Sequence, residues 1–497
     1  MKKNIVEIFF DAAKKYPGNT AMVYKNKQIS YKDLELQVQS TAHYFKTKGI
    51  KKGDKILVFV PMSIQLYSTV LALFSIGAIV VFVDEWSNRS RLEKAIQVVD
   101  IDTIIAPRKF ILLAYVFPGF RKIKRKLVVP NKVKHAKHDF ESVDKNDTAL
   151  ITFTTGSTGI PKAANRTHQF LWEQFRILKD EINAQKEDNC LITLPIVLLS
   201  ILGTGATGYI AVFNQKKPEK LDSRKQAEFA KQHNITLLIA SPYYIEKLAE
   251  SKINISTLKR ILTGGAPVFP RSAKIIQDAF PNSENLIAYG STEAEPISTL
   301  NMKRLISDHS DLVSGLCVGE IHEDVKLKII KISPDPIEIE GSWHKWEIEN
   351  EIGEIVVTGP HVLDQYYNSE KAFKENKITF EKEIWHRTGD SGYLKNNMLF
   401  LHGRSSQLIT KEDVYISPFI IENQLIEIDG IKIGTIIEKD NNLVLCLEAN
   451  EQVDKEDILN RIATDNIPYD RVEWLNIIPR DPRHYSKIEY SKLKNLI

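Results

Sequence analysis

The chain reads as an α/β protein with a large N-terminal domain of parallel sheets and covering helices, a β-rich subdomain, and a small α+β C-terminal domain. Three observations lead there. At 497 residues the chain is too long for one compact core, so two or more domains are expected. The first 300 residues alternate helical patterns with short segments that are apolar throughout. From about Gly315 to Leu401 the rhythm changes to short alternating strands, and a mixed tail follows Gly403-Arg404.

The apolar segments are KILVFVP (55 to 61), AIVVFVD (78 to 84), DTIIAP (102 to 107), ALITFTT (149 to 155), NCLITLP (189 to 195), ITLLIASP (235 to 242) and RILTGGAP (260 to 267). Strands with no polar face are buried on both sides, as in a parallel sheet covered by helices. Within 315–401, DVKLKIIKI and GEIVVTGP read instead as short alternating strands, with few helical patterns. The expected division is 1–403 for the large domain, with the β-rich part at about 315–401, and 404–497 for the small one. One stretch, Leu66 to Val83, runs without a charge for long enough to cross a bilayer. The β-branched IVVFV block and the following Asp84-Glu85 favour a buried helix that turns at Gly77 into a buried strand.

Charge and cysteine usage exclude some functions. The 67 basic and 63 acidic residues nearly balance, so there is no basic excess of the kind that marks a nucleic-acid-binding protein. Cys190, Cys317 and Cys446 are scattered and read as small core residues in a reducing compartment. The N-terminal apolar run is broken by Glu7 and Asp11, unlike a secretory signal, and a cytoplasmic location is expected. The basic run RKIKRK (121 to 126) after FILLAYVFPGF has two readings. It is a solvated helix end or loop, or a weak contact with a membrane surface that helps collect a lipid substrate.

The strongest chemical signal is Thr154-Thr155-Gly156-Ser157-Thr158-Gly159-Ile160-Pro161-Lys162, directly after the apolar ALITF. Glycines let the backbone fold tightly enough for successive N–H groups to point inward, and hydroxyls and a lysine stand beside them. Such a loop suits a polyphosphate. It is not the GxxxxGK[ST] loop, since no second glycine immediately precedes the lysine and no Ser/Thr follows it.

This loop resembles the signature of the acyl-adenylate-forming superfamily, and further matches follow in order along the chain. Gly264-Gly265-Ala266-Pro267 is similar to the family's adenine-side turn, and Tyr289-Gly290-Ser291-Thr292-Glu293 to its YGxTE segment. The resemblance implies that Tyr289 stacks on adenine, Thr292 contacts the α-phosphate and Glu293 helps hold Mg²⁺. Trp385-His386-Arg387-Thr388-Gly389-Asp390 is similar to the RTGD segment, whose aspartate binds the ribose hydroxyls. Arg404 opens the hinge of a mobile C-terminal domain, and Lys487 stands where the family has its catalytic lysine. ATP and Mg²⁺ are the implied cofactors and a fatty acid the implied substrate, with CoA or a carrier protein as a further partner.

The ending IIPRDPRHYSKIEYSKL resembles that of the olefin-pathway β-lactone synthetases, although their asparagine is Tyr485 here and Tyr490 replaces an arginine. AYGSTEAEPIS, VSGLCVGE and KITFEKEIWHRTGDSGYL point to the same subgroup. In the hinge segment GRSSQLITKEDVYISPFIIEN, Ser406, Thr410 and Asp413 replace the family's acid, lysine and glycine. That glycine borders the pantetheine channel in CoA-forming relatives, so Asp413 counts against a CoA acceptor. Ala163 replaces the glycine after the loop lysine. Gly203-Thr204-Gly205-Ala206-Thr207-Gly208 fits GxGxxG, but Pro195 and an apolar stretch precede it, out of place for a dinucleotide fingerprint. The resemblance instead places these small residues along the acyl site. The expected function is acyl-adenylate formation followed by β-lactone closure; the alternatives are a fatty acyl-CoA or carrier-protein ligase, and a nucleotide-binding regulator without catalysis.

Overall fold

The computed structural model describes residues 4–83, 89–130, 133–154, 162–214, 217–308, 315–412, 414–480 and 488–497. All seven apolar segments contain strands, shorter than the segments because Pro, Gly and Asp close most of them. They divide between two sheets. The first has six strands in the order Arg125–Val128, Thr103–Ala106, Lys55–Val58, Ile79–Phe82, Thr148–Thr154 and Lys162–Thr167, with only the last antiparallel.

The second has fourteen strands. Its parallel part runs Thr20–Tyr24, Thr207–Ile210, Asn189–Ile192, Leu237–Ala240, Arg260–Gly264 and Glu284–Ser291. The β-rich stretch continues this sheet edge to edge. Ala294–Asn301 turns back on Glu284–Ser291, and Leu316–Ile321, Met398–Arg404, Glu383–Lys395, Gly353–Thr358 and Lys326–Ile330 follow as antiparallel strands. At the joint, a Cβ on Gly319 would stand 2.1 Å from the Thr299 carbonyl oxygen, and its φ is +102°, so only glycine fits there.

The charge-free stretch Leu66–Val83 is a helix and a strand. Helix Ile64–Ile76 ends on Gly77, whose φ of +73° is the left-handed C-cap, and strand Ile79–Phe82 follows. Every residue from Leu66 to Ile76 is buried. No helix among the described residues is long and apolar enough to cross a membrane.

The C-terminal part has its own core. Strands Ile431–Lys439, Asn442–Ala449 and Arg471–Trp474 form a three-stranded sheet packed by helices Pro418–Ile426 and Lys455–Thr464. Several groups join it to the large part. Ser417 Oγ donates to the His402 carbonyl at 2.9 Å, the Arg271 guanidinium donates to the Ile426 carbonyl, and the Phe269 and Phe419 rings lie 6.4 Å apart.

The structure corrects one expectation. Gly203 and Gly205 lie in the turn between helix Pro195–Ile201 and strand Thr207–Ile210, and Gly208 lies in that strand, so they neither follow a strand nor open a helix. They also leave no room for an alkyl chain. A Cβ on Gly203, Gly205 or Gly208 would fall within 2.3 Å of Ile8, Tyr16 or Leu198. Their small size accommodates the protein's own side chains.

Candidate active site

Strands of the large sheet bring together most of the expected residues that are described. Arg260–Gly264 and Glu284–Ser291 run parallel with Gly264 opposite Ala288, so Gly265-Ala266-Pro267 leave one carboxyl end beside Tyr289-Gly290-Ser291 at the other. Crevices at such strand ends are the usual ligand position in parallel sheets. A Cβ on Gly264 would meet the Ala288 carbonyl oxygen at 2.4 Å, which holds the two turns close.

Tyr289 Oη donates to Asp390 Oδ2 at 2.8 Å, and Arg404 Nη1 donates to Asp390 Oδ1 at 2.8 Å. The Asp390 backbone is set by Thr388, whose Oγ1 accepts the Asp390 N–H at 3.0 Å and donates to the Ile355 carbonyl at 2.8 Å. Gly389, at φ +70°, lets the chain turn between them under the Arg404 guanidinium. Below this turn Arg387 and Glu354 form a buried bidentate pair, 2.6 Å at its shortest, that ties strand Glu383–Lys395 to Gly353–Thr358. Each Asp390 oxygen keeps a lone pair for a further donor such as a sugar hydroxyl.

Thr292 and Glu293 form the tight turn between Glu284–Ser291 and Ala294–Asn301. The Glu293 N–H donates to Ser291 Oγ at 3.3 Å, and Arg166 Nη2 donates to the Thr292 carbonyl at 2.9 Å. Glu293 is buried, and its Oε1 accepts the Tyr366 hydroxyl at 3.1 Å. Burial pushes the Tyr366 phenol up, and the Glu293 charge adds to that shift, so Tyr366 stays a donor.

Residues 362–367 stitch the two sheets together here. Val362 bridges to Ala294, and the Leu363 N–H donates to the Glu293 carbonyl at 2.7 Å. On the other side Tyr366 bridges to Ala164, and the Tyr367 N–H donates to the Ala163 carbonyl at 2.8 Å. Ala163 lies in strand Lys162–Thr167, which pairs with Thr148–Thr154 so that Lys162 faces Thr154 across the base of the Gly/Ser/Thr loop. Thr155, Gly156, Ser157, Thr158 and Gly159 lie outside the described residues, as do Asp413 and Lys487. Lys162 Nζ donates to Asn376 Oδ1, and burial lowers its ammonium against the opposing pull of Glu293 and Glu375.

The structure adds side chains that sequence patterns did not single out, Arg166, Tyr366, Asn376 and Lys377, and sets His386 of the WHRTGD segment beside them. Lys377 is 2% exposed, donates from Nζ to the Leu363 carbonyl and lies 5.5 Å from the Tyr366 ring centre. Burial pushes its ammonium down to about 7; Glu293 and Asp364 oppose that shift and Lys162 adds to it. His386 sits opposite Lys377 on the neighbouring strand, and burial first, then Lys377, keeps it neutral. A lone lysine in a strand gives no sign that it is inward-facing; only the alternation of KITF, paired with EIWH, could have suggested it.

On the C-terminal side, Gly403 (φ +100°) precedes Arg404 at the end of strand Met398–Arg404. A hairpin of Ile409–Lys411 and Val414–Ile416 follows, with Glu412 at its tip. The residues flanking 481–487 are fixed to the small sheet. Arg480 Nη2 pairs with Glu448 at 2.8 Å, and Arg480 bridges to Ile488. Tyr490, which replaces the family arginine, donates to Glu422 Oε1, and Thr435 Oγ1 donates to the same oxygen at 2.8 Å.

A parallel α/β body with its turns at the strand ends, an aspartate beside the hinge and a smaller C-terminal domain make up the fold of adenylate-forming enzymes. The profile of the family described as AMP-binding enzyme matches residues 9–367, and the chain belongs to that family. It is an AMP-forming ligase that makes acyl-adenylates. Over 417 residues it is 24% identical to the olefin beta-lactone synthetase of Stenotrophomonas maltophilia, covering 79% of this chain and 75% of that protein. It is 22% identical over 495 residues to 4-coumarate-CoA ligase 1 of Narcissus pseudonarcissus, covering 92% and 87%. Among solved structures, O-succinylbenzoate coenzyme A synthetase from Bacillus subtilis in complex with AMP superimposes with a TM-score of 0.82 at 19% identity, covering 99% of this chain and 98% of that one.

Proposed function

We propose that this ligase adenylates a long-chain β-hydroxy fatty acid and closes it to a β-lactone. In the first half, a carboxylate oxygen attacks the α-phosphorus of ATP and pyrophosphate leaves. In the second, the β-hydroxyl oxygen attacks the acyl carbonyl, the bond to AMP breaks, and the hydroxyl proton passes to solvent. The cluster of Tyr289, Asp390 and Arg404 beside the Glu293 turn supports the nucleotide end of this reading. Asp390 takes the ribose and Tyr289 the adenine face. Gly265, Ala266 and Pro267 border the base, and Gly290, Ser291 and Thr292 the α-phosphate. The loop from Thr154 to Lys162 holds the β- and γ-phosphates.

Mg²⁺ is ordinarily held by one or two carboxylates together with substrate phosphates, so Glu293 alone is a sufficient contribution from the protein. When bound, the ion supplies positive charge near the phosphoryl oxygens. Residues 404–497 serve as a lid that delivers Lys487. Stabilising charge on the phosphoryl group is the main catalytic requirement of such a displacement.

The internal acceptor is supported by likeness to a protein named a beta-lactone synthetase and by the RHYSKI ending. Likeness to a CoA ligase across 92% of the chain favours CoA as the second reading. Mass analysis of products from ATP, Mg²⁺ and a racemic β-hydroxy fatty acid, with and without CoA, separates them. The proposal expects a product lighter than the acid by one water and indifferent to CoA. An acyl-CoA product with no lactone would replace it with the second reading.

A further inference from the structure

Helix Arg108–Val116 follows the buried strand Thr103–Ala106 beside the edge strand Arg125–Val128 of the six-stranded sheet. Only Ile111 and Ala114 on it are buried. The face turned outward is apolar: Leu112 is 63% exposed, Leu113 48%, Tyr115 59% and Val116 71%, with Phe110 and Phe117 exposed beside them. Six of the fifteen large exposed hydrophobic side chains among the described residues therefore fall within eight consecutive positions. A concentration of that kind marks a surface meant to be covered.

The rim of this face is cationic. Arg108 and Lys109 stand exposed at one end, and Arg121, Lys122 and Lys124 just past the other. From Arg108 to His138 the sequence has no Asp or Glu, in a chain whose total formal charge is only +4. Arg125 is engaged by Asp54, but Lys126 lies 5.2 Å from the Tyr115 ring centre, keeping positive charge against the apolar face.

We propose that this face docks the enzyme on an anionic lipid bilayer. Leu112, Leu113, Tyr115 and Val116 enter the acyl boundary, and the surrounding arginines and lysines meet lipid phosphates, the division of labour of interfacial helices. The charge pattern selects this occupant. A second copy of the chain would bring an equally cationic rim against this one, and nucleic acid gains nothing from exposed Leu and Val. At nine residues the helix is about 14 Å long, enough to lie in the interface and too short to span it. The inference stands apart from the identity of the acceptor.

Co-sedimentation of the full-length protein with vesicles of phosphatidylcholine alone, and of an equimolar mixture with phosphatidylglycerol, tests it. Pelleting with the mixed vesicles and little with the neutral ones is expected. Lys122→Glu with Lys124→Glu should weaken binding by at least roughly fivefold per residue, and Leu112→Gln with Val116→Gln should abolish it. Both variants should keep pyrophosphate release on a short soluble acid, which shows that they are folded. Wild-type protein that stays in the supernatant with mixed vesicles would overturn the proposal, as would apolar-face variants that pellet equally well. Loss of self-association in Leu112→Gln/Val116→Gln without any lipid binding would overturn it too, and assign the face to a second copy.

Discussion

Asp390 joins two contacts in one carboxylate, and the proposed function gives it a third. It accepts from Tyr289 and pairs with Arg404, and it is proposed to take the ribose. The motif around it was legible because glycine and aspartate at fixed spacing are local features. A charge-assisted hydrogen bond is worth about 1.5–3 kcal/mol, so losing even one weakens ATP binding roughly tenfold. Asp390→Ala should therefore raise the ATP Kd by at least that factor in calorimetry, and an unchanged Kd would show that the ribose lies elsewhere. Lys377 was illegible for the opposite reason: its importance comes from burial beneath a partner distant in sequence. Its proton is held less tightly in the folded chain than in the unfolded one. The resulting destabilisation is complete below about pH 7 and is relieved as pH rises toward the ordinary lysine range, by up to about 1.4 kcal/mol per pH unit. The stability of Lys377→Met minus that of wild type should accordingly shrink between pH 6 and pH 9.5. A difference that stays flat would mean that Lys377 reaches water.

At the scale of elements, the parallel strands were readable because burial on both faces leaves an uninterrupted apolar run. The joining of the β-rich stretch to the same sheet was not, because edge-to-edge pairing such as Thr299 with Glu320 leaves no mark in composition. Residues 362–367 show the same limit: their sequence does not reveal that they link the phosphate-loop strand to the Glu293 turn. The C-terminal core carries a pH-sensitive contact of its own. Glu422 accepts from Tyr490 and Thr435, and burial pushes its carboxyl up to about 7 despite those donors. A raised folded value means stabilisation that is complete below the unfolded carboxyl range and is lost as pH climbs through 7. The small domain should melt at lower temperature at pH 8 than at pH 5, and Glu422→Gln should flatten that dependence. If the variant and wild type show parallel pH profiles, the carboxyl titrates normally and the contact is water-exposed.

In the whole molecule, Arg404 ends the last strand of the large sheet before the C-terminal part and is bonded to Asp390, the residue proposed to take the ribose, so on that reading nucleotide occupancy and the position of the C-terminal part share a group. Among the described residues the C-terminal part touches the large part through contacts such as Ser417 with His402 and Arg271 with Ile426, which the proposed lid role would exchange between half-reactions. In the proposed function Lys487 belongs to this part. The described residues on either side of it, Arg480 and Ile488, bridge to each other, and Arg480 pairs with Glu448 of the small sheet. The described residues proposed for the nucleotide site all lie at or before Arg404, so on that reading the lysine is separate from them in sequence. Lys487→Ala should then leave ATP binding and the melting of both domains unchanged while slowing acyl-AMP formation by on the order of 10² to 10³, the usual cost of losing one contact that stabilises charge in a closed site. Pyrophosphate release with a fatty acid substrate reads the rate, and calorimetry reads ATP binding. A variant that releases pyrophosphate at the wild-type rate would remove Lys487 from the chemistry; one that also lost ATP affinity would make it a nucleotide-binding residue instead.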